Sequence, residues 1–201
     1  MERDLDELDG LIDSSLTYAR FEREQPELHL STVDIAPWIE EQVAANRLLG
    51  RNLQLLVDTS ALPPAQRVEL DCRSMPYAVT NLLRNAIRYA RTRIRVSAAL
   101  VGDQIELHVD DDGIGIPPDE RERVFSAFTR LDRSRDRATG GYGLGLAIAR
   151  LVLAQHGGTV GQRALARQVA RGVGKHLQLV GNTARPVGIA EMGHQRDLVH
   201  L

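Results

Sequence analysis

An α/β fold is predicted by this sequence, and three observations carry the prediction. Runs with a period of two recur at 28–32, 53–57, 67–70, 93–100 and 104–109. Runs with helical spacing lie between and after them, at 34–48, 74–90 and 144–152. Two glycine clusters, at 110–117 and 140–146, sit where strands hand over to helices. With 201 residues, 43% of them apolar, the chain can bury one core of ordinary size with some length left over.

The composition also narrows the function. A formal net charge of −2 gives no reason to expect a nucleic-acid partner. No apolar run approaches the roughly 20 residues a membrane helix needs, and Met1-Glu2-Arg3-Asp4 is not a secretory signal. Cys72, the one cysteine, has no internal partner for a disulfide, which suits a reducing compartment and a cytoplasmic location.

Met1 to Gln25 reads as one amphipathic helix, with Leu5, Leu8, Ile12 and Ala19 on a stripe, Leu11 and Leu16 beside it, and Pro26 ending it. Such a stripe must be buried, either on its own domain or against another chain. Leu28 to Thr32 is a short strand. Asp34 is a candidate N-cap for a helix carrying Trp38, Ile39, Val43 and Leu48, with Trp38 in the core. Leu53–Val57 and Arg67–Leu70 are strands separated by Leu62-Pro63-Pro64.

Ser74 caps the next helix, whose apolar face is Met75, Val79, Leu82, Leu83, Ala86, Ile87 and Ala90. Its other stripe places Asn81, Asn85 and Arg88 at i, i+4 and i+7. Two amides and a guanidinium on one side can serve a hard cation and a phosphate together, or form a solvated polar face. Arg93–Leu100 and Gln104–Val109 form a hairpin across Gly102-Asp103 and deliver Asp111 to the mouth of the first glycine cluster. Pro117, Pro118, Asp119 and Glu120 start a short helix with Phe125 and Phe128 as core anchors. Thr129 to Thr139 holds Arg130, Arg133, Arg135 and Arg137 with little apolar content and reads as a lid. The second cluster opens an apolar helical run at Leu144, so its backbone N–H groups lie at a helix N-terminus suited to an anion.

Either cluster alone is a weak signal. The first lacks calcium-loop spacing, because His108, Gly115 and Asp119 fall where that loop needs a ligand, an apolar residue and a glutamate. Neither is a P-loop, since the only lysine is Lys175. A carboxylate and open space on one side, with phosphate donors on the other, suggest a nucleotide between them.

Taken together, Asn81-Leu82-Leu83-Arg84-Asn85-Ala86-Ile87-Arg88-Tyr89, Asp111-Asp112-Gly113-Ile114-Gly115, Val124-Phe125-Ser126-Ala127-Phe128 and Gly141-Tyr142-Gly143-Leu144-Gly145 resemble the N, G1, F and G2 boxes of sensor histidine kinases. The resemblance covers about Leu5 to Val160. It implies the Bergerat fold, a two-layer α/β sandwich in which helices cover one face of a mixed sheet, preceded here by the long helix. It implies ATP and Mg2+ as cofactors. Asn85 holds the cation with Asn81 beside it, Arg88 reaches phosphate, Tyr89 lies against adenine, and Asp111 accepts the adenine amine. Gly113, Gly115 and Ile116 line the base side; Gly141, Tyr142, Gly143, Leu144, Gly145 and Leu146 close on the phosphates.

The resemblance also implies a division at 1–25, the end of a dimerisation and phosphoacceptor hairpin; 26–160, the catalytic domain; and 161–201, an atypical tail. In kinases of this type the hairpin pairs two copies, a response regulator receives the phosphoryl group, and the parent protein sits in the inner membrane. Two departures stand out. None of His29, His108, His156, His176, His194 or His200 lies on an acceptor-type helix followed by an acid, so the phosphorylated histidine is missing and no catalytic residue is assigned. Gly161 to Leu201 lacks the family's usual ending and suggests a reading-frame change; a disordered tail costs the sheet an edge strand unless Leu177–Val180 supplies one. An ATP-hydrolysing clamp, which needs a base near where Arg84 stands, and a non-catalytic ATP-binding module remain as alternatives.

Overall fold

The structure is a computed structural model that describes residues 2–23, 27–50, 52–130, 141–162 and 175–182. In chain order these form α1 (Glu2–Arg23), β1 (Ser31–Asp34), α2 (Ile35–Asn46), β2 (Gln54–Ala61), β3 (Arg67–Leu70), α3 (Met75–Tyr89), β4 (Arg93–Val101), β5 (Gln104–Asp111), α4 (Gly145–Gln155), β6 (Thr159–Gln162) and β7 (Lys175–Asn182). Short 3-10 turns follow α2 and lie at Pro118–Glu120 and Arg123–Phe125.

Among the described residues the main sheet has the order β2-β4-β5-β7-β6. The β2–β4 pair is parallel and the others are antiparallel, so the sheet is mixed. Alternation decides its faces. Ile94, Val96 and Ala98 of β4 and Ile105, Leu107 and Val109 of β5 are buried, while the residues between them are exposed or half-buried. The helices α2, α3 and α4 pack on that apolar face. The predicted two-layer sandwich is therefore the observed one. A separate ribbon, β1 against β3, flanks it with Val33 opposite Val68.

Several local expectations are corrected. The first strand starts at Ser31 rather than Leu28. Asp34 and Ser74 occupy N-cap positions, but neither side chain makes a capping hydrogen bond. Trp38 is half-buried at the edge of the core, and Leu48 lies beyond α2 in an exposed 3-10 turn. Phe125 is an anchor, whereas Phe128 is 63% exposed with φ +61°, in a turn where the Thr129 N–H donates to the Ser126 carbonyl. Pro26, where α1 was expected to end, lies outside the described residues, as do residues 131–140 of the expected lid.

The stretch beyond residue 160 contributes to the sheet. β6 runs across that boundary, and Lys175–Asn182, around the candidate strand Leu177–Val180, pairs with both β5 and β6. It lies inside the sheet rather than at its edge. Residues 163–174 and 183–201 lie outside the described residues.

Candidate functional site

The site is built where α3, the first glycine cluster and the start of α4 meet. The α3 helix turns Val79, Leu82, Leu83 and Ala86 into the core, which fixes Asn81, Asn85 and Arg88 on its other side. A cleft of about 430 Å³ opens there. Asn81, Asn85, Arg88 and Tyr89 of α3 line it, with Ile116 from the first cluster and Gly141, Tyr142, Gly143, Leu144, Gly145 and Leu146 from the second. Most of the residues nominated from sequence thus share one cavity.

Asp111, Gly113 and Gly115 are not among the residues that line this cavity. Asp111 continues the inward alternation of β5 and is 5% exposed; its Oδ1 accepts a hydrogen bond from the Gly113 N–H at 2.8 Å. Gly113 proves to be a packing requirement. A Cβ there would overlap the Tyr89 carbonyl and come within 2.6 Å of Asp111 Oδ1, so its bareness seats the acidic turn on the end of α3. The sequence reading had assigned that space to the base. Gly141 is similar, since a Cβ would collide with the Arg88 guanidinium. Here the bare backbone lets the guanidinium approach the turn.

Polar groups in the cleft differ in how far the protein occupies them. The Asn81 amide donates to the Tyr77 carbonyl at 2.8 Å, one turn back on α3. The Asn85 Nδ2 is buried and has no hydrogen-bond partner in the protein among the described residues. A buried amide left over in this way is costly unless something else meets it. Arg84, Arg88 and Arg130 also line the cleft. Desolvation pushes the Arg88 guanidinium below its ordinary value, Tyr89 opposes this, and the like charges of Arg130 and Arg84 reinforce it. Three guanidinium groups converging on leftover amide chemistry make a site that favours an anion. The first turn of α4, starting at Gly145, adds backbone donors.

Sequence reasoning missed several contributors. Arg84 was singled out only as standing where an ATPase clamp needs a base, and Arg130 only as part of a lid, yet both line the cleft. Val124 and Thr129 also contribute, as do Gly10 and Ser14 of α1. For the last two, helical periodicity showed which face of α1 is apolar but not what its small residues touch. Among the described residues no group of three or more His, Cys, Asp or Glu side chains is placed to hold a metal.

An α/β sandwich with an amide-and-arginine helix facing a glycine-rich helix start defines a nucleotide-binding ATPase domain of the histidine-kinase type. The family described as histidine kinase-, DNA gyrase B-, and HSP90-like ATPase matches residues 71–179, and the chain belongs to it. It is 42% identical over 160 residues to the sensor protein RstB of Escherichia coli (strain K12), an alignment covering 80% of this chain and 36% of RstB. Among solved structures, full-length ShkA in complex with AMPPNP superposes with a TM-score of 0.74 at 26% identity, covering 90% of this chain and 37% of ShkA. The mycobacterial sensor histidine kinase MprB superposes with a TM-score of 0.63 at 29% identity, covering 76% of this chain and 96% of that structure. The chain therefore spans about a third of the length of RstB.

Proposed function

We propose that the chain binds ATP with Mg2+ between α3 and the second glycine cluster and donates the γ-phosphoryl group to a histidine it does not itself carry. The observation that carries this is the leftover Asn85 amide in a cleft shared with three arginines and a helix N-terminus. Turning that terminal amide presents Oδ1, a hard oxygen ligand, to the same space. With no acidic cluster to hold a cation by itself among the described residues, a site made of one amide and phosphate oxygens fits Mg2+, which keeps few protein ligands. The cation supplies charge neutralisation on the phosphates. Arg88 orients the phosphate tail, the backbone donors of α4 hold its oxygens, and Asp111 accepts the exocyclic amine of adenine, where guanine presents a carbonyl.

The relatives' names, and the AMPPNP bound to ShkA, support the reading of an ATP-binding catalytic domain in a two-component sensor kinase. A response regulator is then the eventual recipient. Leu8, Ile12 and Leu16 form an exposed stripe on α1 that suits pairing with a second copy. No described helix is long and apolar enough to cross a membrane.

The test is incubation with labelled ATP, alone and with a separate histidine-bearing hairpin protein. Acid-labile, alkali-stable label on the added hairpin alone is the expected result. The same label on this chain contradicts the assignment of the acceptor elsewhere, and phosphate release without any label favours an ATPase.

A further inference from the structure

Of the two places the sequence offered α1, its own domain or another chain, part of the helix occupies the first. Phe21 is 4% exposed and packs edge-on against Tyr77 of α3 at 5.5 Å, and Gln155 Nε2 at the end of α4 donates to the Phe21 carbonyl at 2.9 Å. Farther back, Tyr18 meets Phe128 at 6.4 Å. At the other end Gly10 faces Tyr142, and a Cβ on Gly10 would lie 3.3 Å from the Tyr142 hydroxyl. The helix therefore follows α4 from its nucleotide end to its far end. Between these contacts, Gly10 and Ser14 line the same cleft as Asn85 and Arg88.

We propose that α1 is a wall of the nucleotide site, with Ser14 as a nucleotide-binding residue and Gly10 as the position that admits Tyr142, so that nucleotide binding and α1 docking reinforce each other. The proposal rests on the ATP reading given above. Its sign follows from the side chains that α1 presents. A helix built to block the cleft would put bulk into it; this one puts in a glycine and a hydroxyl, which leave the volume open and add a donor and acceptor. The apolar residues Leu8, Ile12 and Leu16 point elsewhere and remain exposed, so docking uses the side of the helix that carries Gly10, Ser14, Tyr18 and Phe21 and leaves its stripe accessible. Because Ser14 contacts the nucleotide only when α1 is docked, a nucleotide bound beside it holds α1 down, and displacing α1 loosens the nucleotide by the same factor.

The experiment measures Mg-ATP affinity by displacement of a fluorescent ATP analogue from the full chain, for wild type, Ser14→Ala and Gly10→Leu. Amide hydrogen exchange across residues 8–23 is followed with and without Mg-ATP. Ser14→Ala is expected to weaken binding about two- to tenfold, the range of one hydrogen bond. Gly10→Leu, whose side chain crowds the Tyr142 hydroxyl, is expected to weaken it about fivefold or more and to speed exchange in α1. Mg-ATP is expected to slow exchange in α1 of the wild type, a response that a purely structural helix does not give. Unchanged affinity in both variants overturns the proposal, as does tighter binding by Gly10→Leu, which would make α1 an obstruction. Ser14→Ala removes no packing, so it keeps the question answerable if the leucine variant fails to fold. A wild-type chain that binds no Mg-ATP defeats the ATP reading itself, whereas a binding wild type with unaffected variants defeats this inference alone.

Discussion

The two faces of the main sheet follow the same alternation and put their polar residues to opposite uses. On the outward face, the exposed Arg95 pairs with Asp58 at 2.5 Å, a pair of the kind that contributes little, and the half-buried His108 lies 3.3 Å from Glu106. On the inward face the pattern reads Ile105, Leu107, Val109 and then Asp111, a carboxylate where the period calls for an apolar residue. One step along, Asp112 has left the strand, and its oxygens accept hydrogen bonds from the backbone N–H groups of Arg91, Thr92 and Arg93 and from the Thr92 hydroxyl. Asp112 is spent on holding the entry to β4. Asp111 is thus a buried carboxylate on the apolar face, and the Gly113 N–H donates to one of its oxygens.

That contrast is broken most severely at Asn85. Asn85→Ala is expected to reduce Mg-dependent nucleotide affinity by about two orders of magnitude, because it removes the one side-chain oxygen assigned to the cation. Isothermal titration with and without Mg2+ checks it, and an equal loss in both conditions would place Asn85 on the nucleotide rather than the metal. Thermal stability should hold or rise slightly, since a buried amide nitrogen with no partner among the described residues is removed.

Asp111→Asn comes next, with an expected loss of about 1–3 kcal/mol in ATP binding if the carboxylate meets the adenine amine. Asparagine keeps an oxygen for the Gly113 N–H, so the turn should stand. The sharper readout is base preference: the ATP-to-GTP affinity ratio should shrink in the variant, and an unchanged ratio removes Asp111 from recognition. Gly113→Ala tests packing instead. The added methyl meets the Tyr89 backbone carbonyl, which cannot swing aside as a side-chain tip would, and an expected cost of about 1–3 kcal/mol should appear in chemical denaturation.

Much of this arrangement was legible because it is periodic. The 3.6-residue spacing of α3 separated the core residues Val79, Leu82, Leu83 and Ala86 from Asn81, Asn85 and Arg88, and the twofold spacing of β5 pointed Asp111 inward. What escaped was set by contacts between elements. The helical pattern of α1 did not show that Gly10 would face Tyr142, and nothing local marks Phe128 as the residue that takes a positive φ in place of a core position. The sequence around β7 carries weak alternation, and its place inside the sheet depends on pairing with β5 and β6, more than 60 residues and about a dozen residues away in the chain respectively. Gly113 illustrates a subtler limit. A glycine beside a ligand and a glycine beside a carbonyl look alike in sequence, because both mark a place where a Cβ does not fit.

The smallest effect is expected at Asp112, and its pH dependence tells the two neighbouring carboxylates apart. Partial burial pulls the Asp112 carboxyl upward, but the hydrogen bonds from the Thr92 hydroxyl and from the Thr92, Arg93 and Arg91 N–H groups outweigh it and hold the group well below the usual carboxylate range. A folded-state value below the unfolded one, near 3.9, means that ionised Asp112 stabilises the fold above that pH, and the contribution is lost as pH falls through it toward the folded value. Asp112→Asn should therefore lower the melting temperature slightly at pH 7, by under about 1 kcal/mol of stability given the solvent around the site, and the gap from wild type should close on acidification below about pH 4. Nucleotide affinity should stay within twofold throughout. A large loss of ATP binding in Asp112→Asn, with Asp111→Asn unaffected, would exchange the roles of the two residues and move the recognising carboxylate out of the β5 alternation.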